Sequence, residues 1–235
     1  MLYPMPKKIQ FAPSQAKWQL STTDSVLVLV GLQNLRAESG IQDSDLMNNL
    51  VQLTNRAKTL DIPIVDLYGD DLMQGMQQLG EYVSTHPQLI IAGEISPMLK
   101  QILPHISSVT DQICIIDDAI LMAHQEQHIQ WIDNNTAQGM HHMNAYTLMR
   151  LWNLNAPSHY ILSTKGIMLA VAEAIEMDAL EIDPYVSLKS YGLDSVAVVG
   201  LVGLWRAHGA NITYEDVLEH NTLHELVSFI LQSIR

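Results

Sequence analysis

Val26-Leu27-Val28-Leu29-Val30 is an unbroken run of five aliphatic residues closed by Gly31. It is too short for a buried helix, and the absence of polar alternation implies a strand covered on both faces. Three further runs of this kind follow downstream: Ile62-Pro63-Ile64-Val65, Leu89-Ile90-Ile91 and Ile113-Cys114-Ile115-Ile116. Longer amphipathic stretches separate them, predicting helices at about 43–60, 72–83, 96–106 and 124–137. Asp43 and Ser96 suit helix N-caps, and Pro97 suits a first helical position. Strict alternation of strand and helix implies right-handed βαβ crossovers and a parallel sheet layered between helices. The fold class of this part is α/β.

The pattern changes after Asn155-Ala156-Pro157-Ser158-His159. Helices are predicted at about 165–175, 195–208, 214–218 and 223–234 with no strand between them, which describes a small four-helix bundle. We therefore expect two domains, 1–157 and 164–235. The bundle carries Lys165, Lys189, Arg206 and Arg235 against ten acidic residues, a net charge of −6, leaving −7 upstream.

The whole chain of 235 residues has 12 Lys and Arg against 25 Asp and Glu. A net charge of −13 argues against nucleic acid and anionic membrane as partners, since both need clustered cations, and suits docking onto basic protein surfaces. The single cysteine, Cys114, excludes an intrachain disulfide and sits in an apolar run, where it is expected to be a buried strand thiol. Residues 1–20 lack the apolar core of a signal peptide, and no run approaches the length of a spanning helix, so a cytoplasmic location is expected.

The most informative segment for chemistry is Leu188-Lys189-Ser190-Tyr191-Gly192-Leu193-Asp194-Ser195-Val196. Gly192 permits a backbone turn that other residues avoid. Asp194 is placed to cap the next helix, which puts Ser195 at a helix N-terminus, where the partial positive charge favours an anion on its hydroxyl. The helix that follows, Val196-Ala197-Val198-Val199-Gly200-Leu201-Val202-Gly203-Leu204-Trp205, is apolar on nearly every face. A small bundle cannot bury all of it, so Val196 and Val199 are expected to stay exposed beside Ser195 and to contact partners.

Tyr191-Gly192-Leu193-Asp194-Ser195, in a bundle of this size, resembles the phosphopantetheine site of aryl and peptidyl carrier proteins. Trp205-Arg206, Ile212-Thr213-Tyr214-Glu215-Asp216-Val217-Leu218 and Asn221-Thr222-Leu223-His224-Glu225-Leu226 resemble later elements of the same family, so the likeness covers 164–235. It implies that Ser195 carries a 4′-phosphopantetheine arm, with Asp194 beside the attachment point. It also implies loading by a phosphopantetheinyl transferase, then acylation by an adenylating ligase for an aryl acid such as 2,3-dihydroxybenzoate or salicylate. The acyl group would pass to a condensation domain of a nonribosomal peptide synthetase.

A carrier domain after an α/β domain is similar to the bifunctional isochorismatase/aryl carrier proteins of catechol siderophore biosynthesis. Val26 to Gln33, Asp61-Ile62-Pro63-Ile64-Val65, Gln88-Leu89-Ile90-Ile91-Ala92-Gly93 and Ile115-Ile116-Asp117-Asp118-Ala119 resemble successive strands of that family. The likeness spans 20–155, in a shortened form. The family's chemistry, however, uses an Asp after the first strand, a Lys after a middle strand, and a Cys (in some members a Gly) at a helix start. Here Gly31 stands at the Asp position and Lys100 at the nucleophile position. The 19 residues between Tyr68 and Gln88 hold no Lys or Arg. Losing several members of one catalytic unit removes the mechanism. We expect no catalytic residue and no enzyme activity in this domain. An alternative reading keeps it as an active isochorismatase-like hydrolase fused to the carrier.

Other candidates are weaker. Asp117-Asp118 are expected to be structural rather than paired catalytic carboxylates. His124 and His128 are spaced for one helix face, with His141-His142 further on, but no third-ligand pattern accompanies them. We expect solvated or capping histidines and no metal. Asp70-Asp71 read as a turn and helix cap. Met140, Met143 and Met149 read as core or interface, and the apolar excess of 140–154 suits a homodimer or docking platform through the α/β domain.

Overall fold

The computed structural model describes residues 17–37, 40–67, 72–95, 97–175 and 177–234. Ser96, Asp70 and Asp71, for which caps and a turn are expected, lie outside them, as does most of the stretch 1–20. The chain divides into two compact units, Met1–Asn155 and Ala156–Arg235. Among the described residues no helix is long and apolar enough to cross a membrane.

The first unit is a five-stranded parallel sheet in the order β2-β1-β3-β4-β5. Its strands are β1 (Ser25–Val30), β2 (Ile64–Leu67), β3 (Gln88–Glu94), β4 (Ile113–Leu121) and β5 (His141–Met143). The helices between them are α1 (Leu32–Ala37), α2 (Asp45–Thr59), α3 (Leu72–Val83), α4 (Pro97–Val109) and α5 (Gln125–Ala137), with α6 (Ala145–Leu154) after the last strand. Strand β1 shows why Val26 to Val30 are all apolar. Leu27 and Leu29 pack on one face with Leu50 and Leu53 of α2 and Trp152 of α6. Val26, Val28 and Val30 pack on the other with Leu79 of α3, Ile106 of α4 and Ile132 of α5. Period-two alternation thus feeds two cores rather than one core and solvent.

Several elements differ from the sequence expectation. The cap of α2 is Ser44, whose side chain accepts from the Met47 N–H at 3.2 Å, and not Asp43. Strand β2 starts at Ile64 instead of Ile62. Asp61 has a φ of 55° and the Ile62 N–H bonds back to the Ala57 carbonyl, a capping turn that ends α2 and takes up Asp61 and Ile62 before the strand can begin. Strand β4 runs on through Asp117 and Asp118 to Leu121, with a break in register against β3 between Ile91 and Gly93. Strand β5 carries no apolar run and is half-buried, so no pattern announced it.

The second unit opens with a short helix α7 (Ser158–Ile161) and holds α8 (Thr164–Ala174), α9 (Ser195–Ala207), α10 (Tyr214–Glu219) and α11 (Leu223–Ser233). Trp205, Ile167, Val171, Leu226 and Ile230 form its buried centre. Thr213 and Thr222 each close a reciprocal capping box, with Asp216 and Glu225, which fixes where α10 and α11 begin. The long link from α8 to α9 is tied down where the Leu188 N–H donates to the Asn221 carbonyl at 2.8 Å.

Candidate functional site

In an open parallel sheet, ligands bind outside the strand carboxyl ends where the strand order reverses, here between β1 and β3. Gly31 follows β1 at that point and Glu94 ends β3. A Cβ on Gly31 would lie 3.2 Å from Glu94 Oε2, so a carboxylate from the neighbouring strand stands beside the position where the resembling family has its Asp. The sequence did not reveal this, because adjacency of β1 and β3 is a property of the sheet. Lys100 is exposed on α4.

Asp117 and Asp118 are not paired over a site. Asp118 Oδ1 accepts from the Ala145 N–H at 2.7 Å and its carbonyl accepts from Asn49 at 2.8 Å, tying β4 to α6 and α2. Asp117 Oδ2 pairs with His142 Nδ1 at 3.1 Å across β4 and β5. Burial holds both carboxyl groups above the usual carboxylate range, against the lowering effect of these partners. His128 is neither solvated nor a cap. It is fully buried, its ring bonds to the Asp117 backbone, and desolvation brings its pKa down to about 4, so it is neutral at pH 7. His124 is the N-cap residue of α5, without a side-chain bond. Among the described residues no three His, Cys, Asp or Glu side chains gather to hold a metal. Cys114 is buried and its thiol is pushed far up by desolvation, which makes it inert. Met140 and Met149 are core, and Met143 packs against it. Leu148 and Trp152 are also buried, so much of the apolar excess of 140–154 lies in this unit's own interior, while Tyr146 and Leu154 stay exposed.

Ser195 sits differently. It is the exposed first residue of α9. Asp194 is the N-cap, and its Oδ1 accepts from the Ala197 N–H at 2.8 Å. Gly192 has a φ of 93°, in the left-handed region, and ends the short 3-10 turn Leu188–Tyr191 that leads into the site. This turn, cap and helix start together aim the Ser195 hydroxyl outward at the positive end of a 13-residue helix. Val196 and Val199 are 78% and 62% exposed, so the apolar excess of α9 does reach the surface next to that hydroxyl.

A cavity of about 210 Å³ adjoins Ser195. Leu188, Leu193, Val198, Val217 and Leu218 give it apolar walls, and Lys189, Tyr214 and Asn221 contribute polar groups. Sequence reasoning missed Tyr214 and Asn221 because α10 and the loop after it reach the site only through the fold, whereas Lys189 lies within the quoted segment 188–196. The exposed hydroxyl gives a phosphodiester its point of attachment and the helix N-terminus favours the anion, so the residues fit such a group. Residues 165–230 match the family described as a phosphopantetheine attachment site, and the carboxy-terminal part of this chain is thus a carrier domain for a 4′-phosphopantetheine group.

Proposed function

We propose that Ser195 is the attachment point and that the chain serves as an aryl carrier for a nonribosomal peptide assembly line of siderophore type. The observation that carries the attachment is the outward hydroxyl at the start of α9, within the matched segment. When bound, the group supplies a thiol that holds an acyl group as a thioester. Ser195 provides the oxygen for the linkage, and Asp194 holds the first turn of α9 in place. The aryl cargo, the adenylating ligase and the condensation domain rest on the likeness of the sequence to aryl carriers fused to isochorismatase-like domains. Intact-mass measurement after incubation of the loaded protein with ligase and a panel of aryl and amino acids tests the cargo. Acceptance of amino acids alone would remove the aryl reading.

Val196 and Val199 are proposed as the docking face for these partners. Changing either to Asp is expected to leave the bundle folded, because both side chains point outward. Loading by the ligase should slow by about tenfold or more, since an unpaired carboxylate in a dry interface costs more than the ~1.4 kcal/mol that a factor of ten represents. Unchanged loading rates with intact circular dichroism would place docking elsewhere.

For the α/β unit we propose a scaffold without isochorismatase activity. Hydrolysis of a vinyl ether needs a proton delivered to carbon by a positioned acid. Gly31 has no side chain to deliver it, and the segment expected to bring a lysine partner contains none. One observation favours the opposite reading: Glu94 places a carboxylate beside Gly31. The purified chain is expected to turn over isochorismate no faster than background. Turnover that disappears in Glu94→Gln would establish the hydrolase reading instead.

A further inference from the structure

We propose that a cavity at the amino ends of β4 and β5 binds a free α-amino acid with an apolar or aromatic side chain. It lies at the opposite end of the sheet from Gly31 and Glu94, and it involves neither them nor Ser195. Its volume of about 500 Å³ falls within the roughly 300–1,000 Å³ of small-molecule sites. Ile113 opens β4, Met140 precedes β5, and the links that enter these strands, 110–112 and 138–140, form much of the wall. Lys17 and Trp18 complete it.

This wall is held in place without a ligand. The buried Thr110 donates its hydroxyl to the Pro87 carbonyl at 2.7 Å and accepts from the Gln112 N–H at 3.0 Å. The buried Gln88 donates to the Gln112 side-chain oxygen at 3.2 Å and to the Gln19 carbonyl at 2.8 Å, which fastens the segment after Trp18 to the entry of β4. His141 of β5 donates from Nε2 to the Trp18 carbonyl at 3.0 Å, and its ring meets the indole edge-on with centroids 4.5 Å apart. A ligand is thus spared most of the cost of ordering the loops it touches.

Charge selects the ligand. Two helices end at this cavity: Ser107 lies in the last turn of α4, and Gln138 is the C-cap of α5. The negative ends of two helix dipoles and the Asp111 carboxylate therefore gather here and favour an ammonium group. Among the described residues of the lining, Lys17 is the one cation with a fixed charge, and it suits a carboxylate. A simple amine leaves Lys17 opposed, and a simple carboxylate leaves Asp111 and both helix ends opposed. A zwitterion answers all of them. Trp18, Ile113 and Met140 supply the apolar part of the lining, which suits an apolar or aromatic side chain.

The test titrates the full chain with L-phenylalanine and with two analogues that each lack one charge, phenethylamine and 3-phenylpropanoate, and reads binding by calorimetry. L-Phenylalanine is expected to bind tighter than either analogue. Asp111→Asn should weaken L-phenylalanine and phenethylamine by about two- to fivefold, the scale of exposed charge pairs, and spare 3-phenylpropanoate. Lys17→Gln should weaken L-phenylalanine and 3-phenylpropanoate by a similar factor and spare phenethylamine. Both residues are exposed, and a crossed pattern of this kind is not what a damaged fold produces. No saturable binding of L-phenylalanine would overturn the inference. Binding unchanged in both variants would overturn it by placing the amino acid elsewhere on the chain, and 3-phenylpropanoate binding as tightly as L-phenylalanine would overturn the zwitterion.

Discussion

Ser195→Ala is expected to reduce phosphopantetheine incorporation from complete to undetectable by intact mass, while the bundle stays folded. Attachment forms an ester bond between the Ser195 oxygen and the phosphorus of the donor, with departure of the donor's nucleotide, so an alanine leaves nothing to modify. The structural cost is small. Asp194 and not Ser195 caps α9, and Ser195 is exposed, so the substitution removes neither a cap nor a core contact. Loss of incorporation can therefore be separated from loss of fold by comparing thermal midpoints. Other serines and threonines provide an internal control, because Ser187 and Ser190 lie close in sequence but not at the start of a long helix. Modification of the alanine variant at one of them would show that helix placement is not what selects the hydroxyl.

The fold was legible where burial is two-sided. Val26 to Val30 and Ile113 to Ile116 feed both cores, and runs this short are a strand's length and not a helix's. It was illegible where a strand is polar or is held by pairs distant in sequence. His141-His142-Met143 pairs with β4 as an edge strand, and the partner of His142 is Asp117. Nothing in either tripeptide announces the other. The candidate site divides the same way. Gly192, Asp194 and Ser195 are local in sequence and follow turn and cap chemistry, so their roles could be read directly. Tyr214 and Asn221 reach the cavity from another helix and its loop. Glu94 reaches Gly31 only because β3 pairs with β1, a choice of strand order that hydrophobic pattern does not encode.

That same pairing gives the largest stability effect we expect, from Gly93→Ala. Gly93 lies in β3 opposite Val30 of β1, immediately before Glu94. Two independent penalties act there. Its φ is 110°, a backbone conformation that L side chains rarely adopt and that costs an alanine about 1–2 kcal/mol even in open surroundings. A Cβ at this position would also stand 2.1 Å from the Val30 carbonyl oxygen and 2.8 Å from the Val30 nitrogen. These atoms belong to a fully covered strand, so relief requires β1 and β3 to part where both cores meet. The sum should exceed the 0.5–3 kcal/mol of an ordinary substitution, and against a domain stability of about 5–15 kcal/mol it is enough to populate unfolded α/β unit at moderate temperature. Gly139→Ala isolates the first penalty, since Gly139 has a φ of 98° with nothing within 4 Å of its Cβ position. Hydrogen exchange followed by mass spectrometry should show β1 and β3 losing protection in Gly93→Ala and keeping most of it in Gly139→Ala. Equal protection in the two variants would mean that the close approach of Gly93 to Val30 contributes nothing, and that torsion alone sets the glycine requirement.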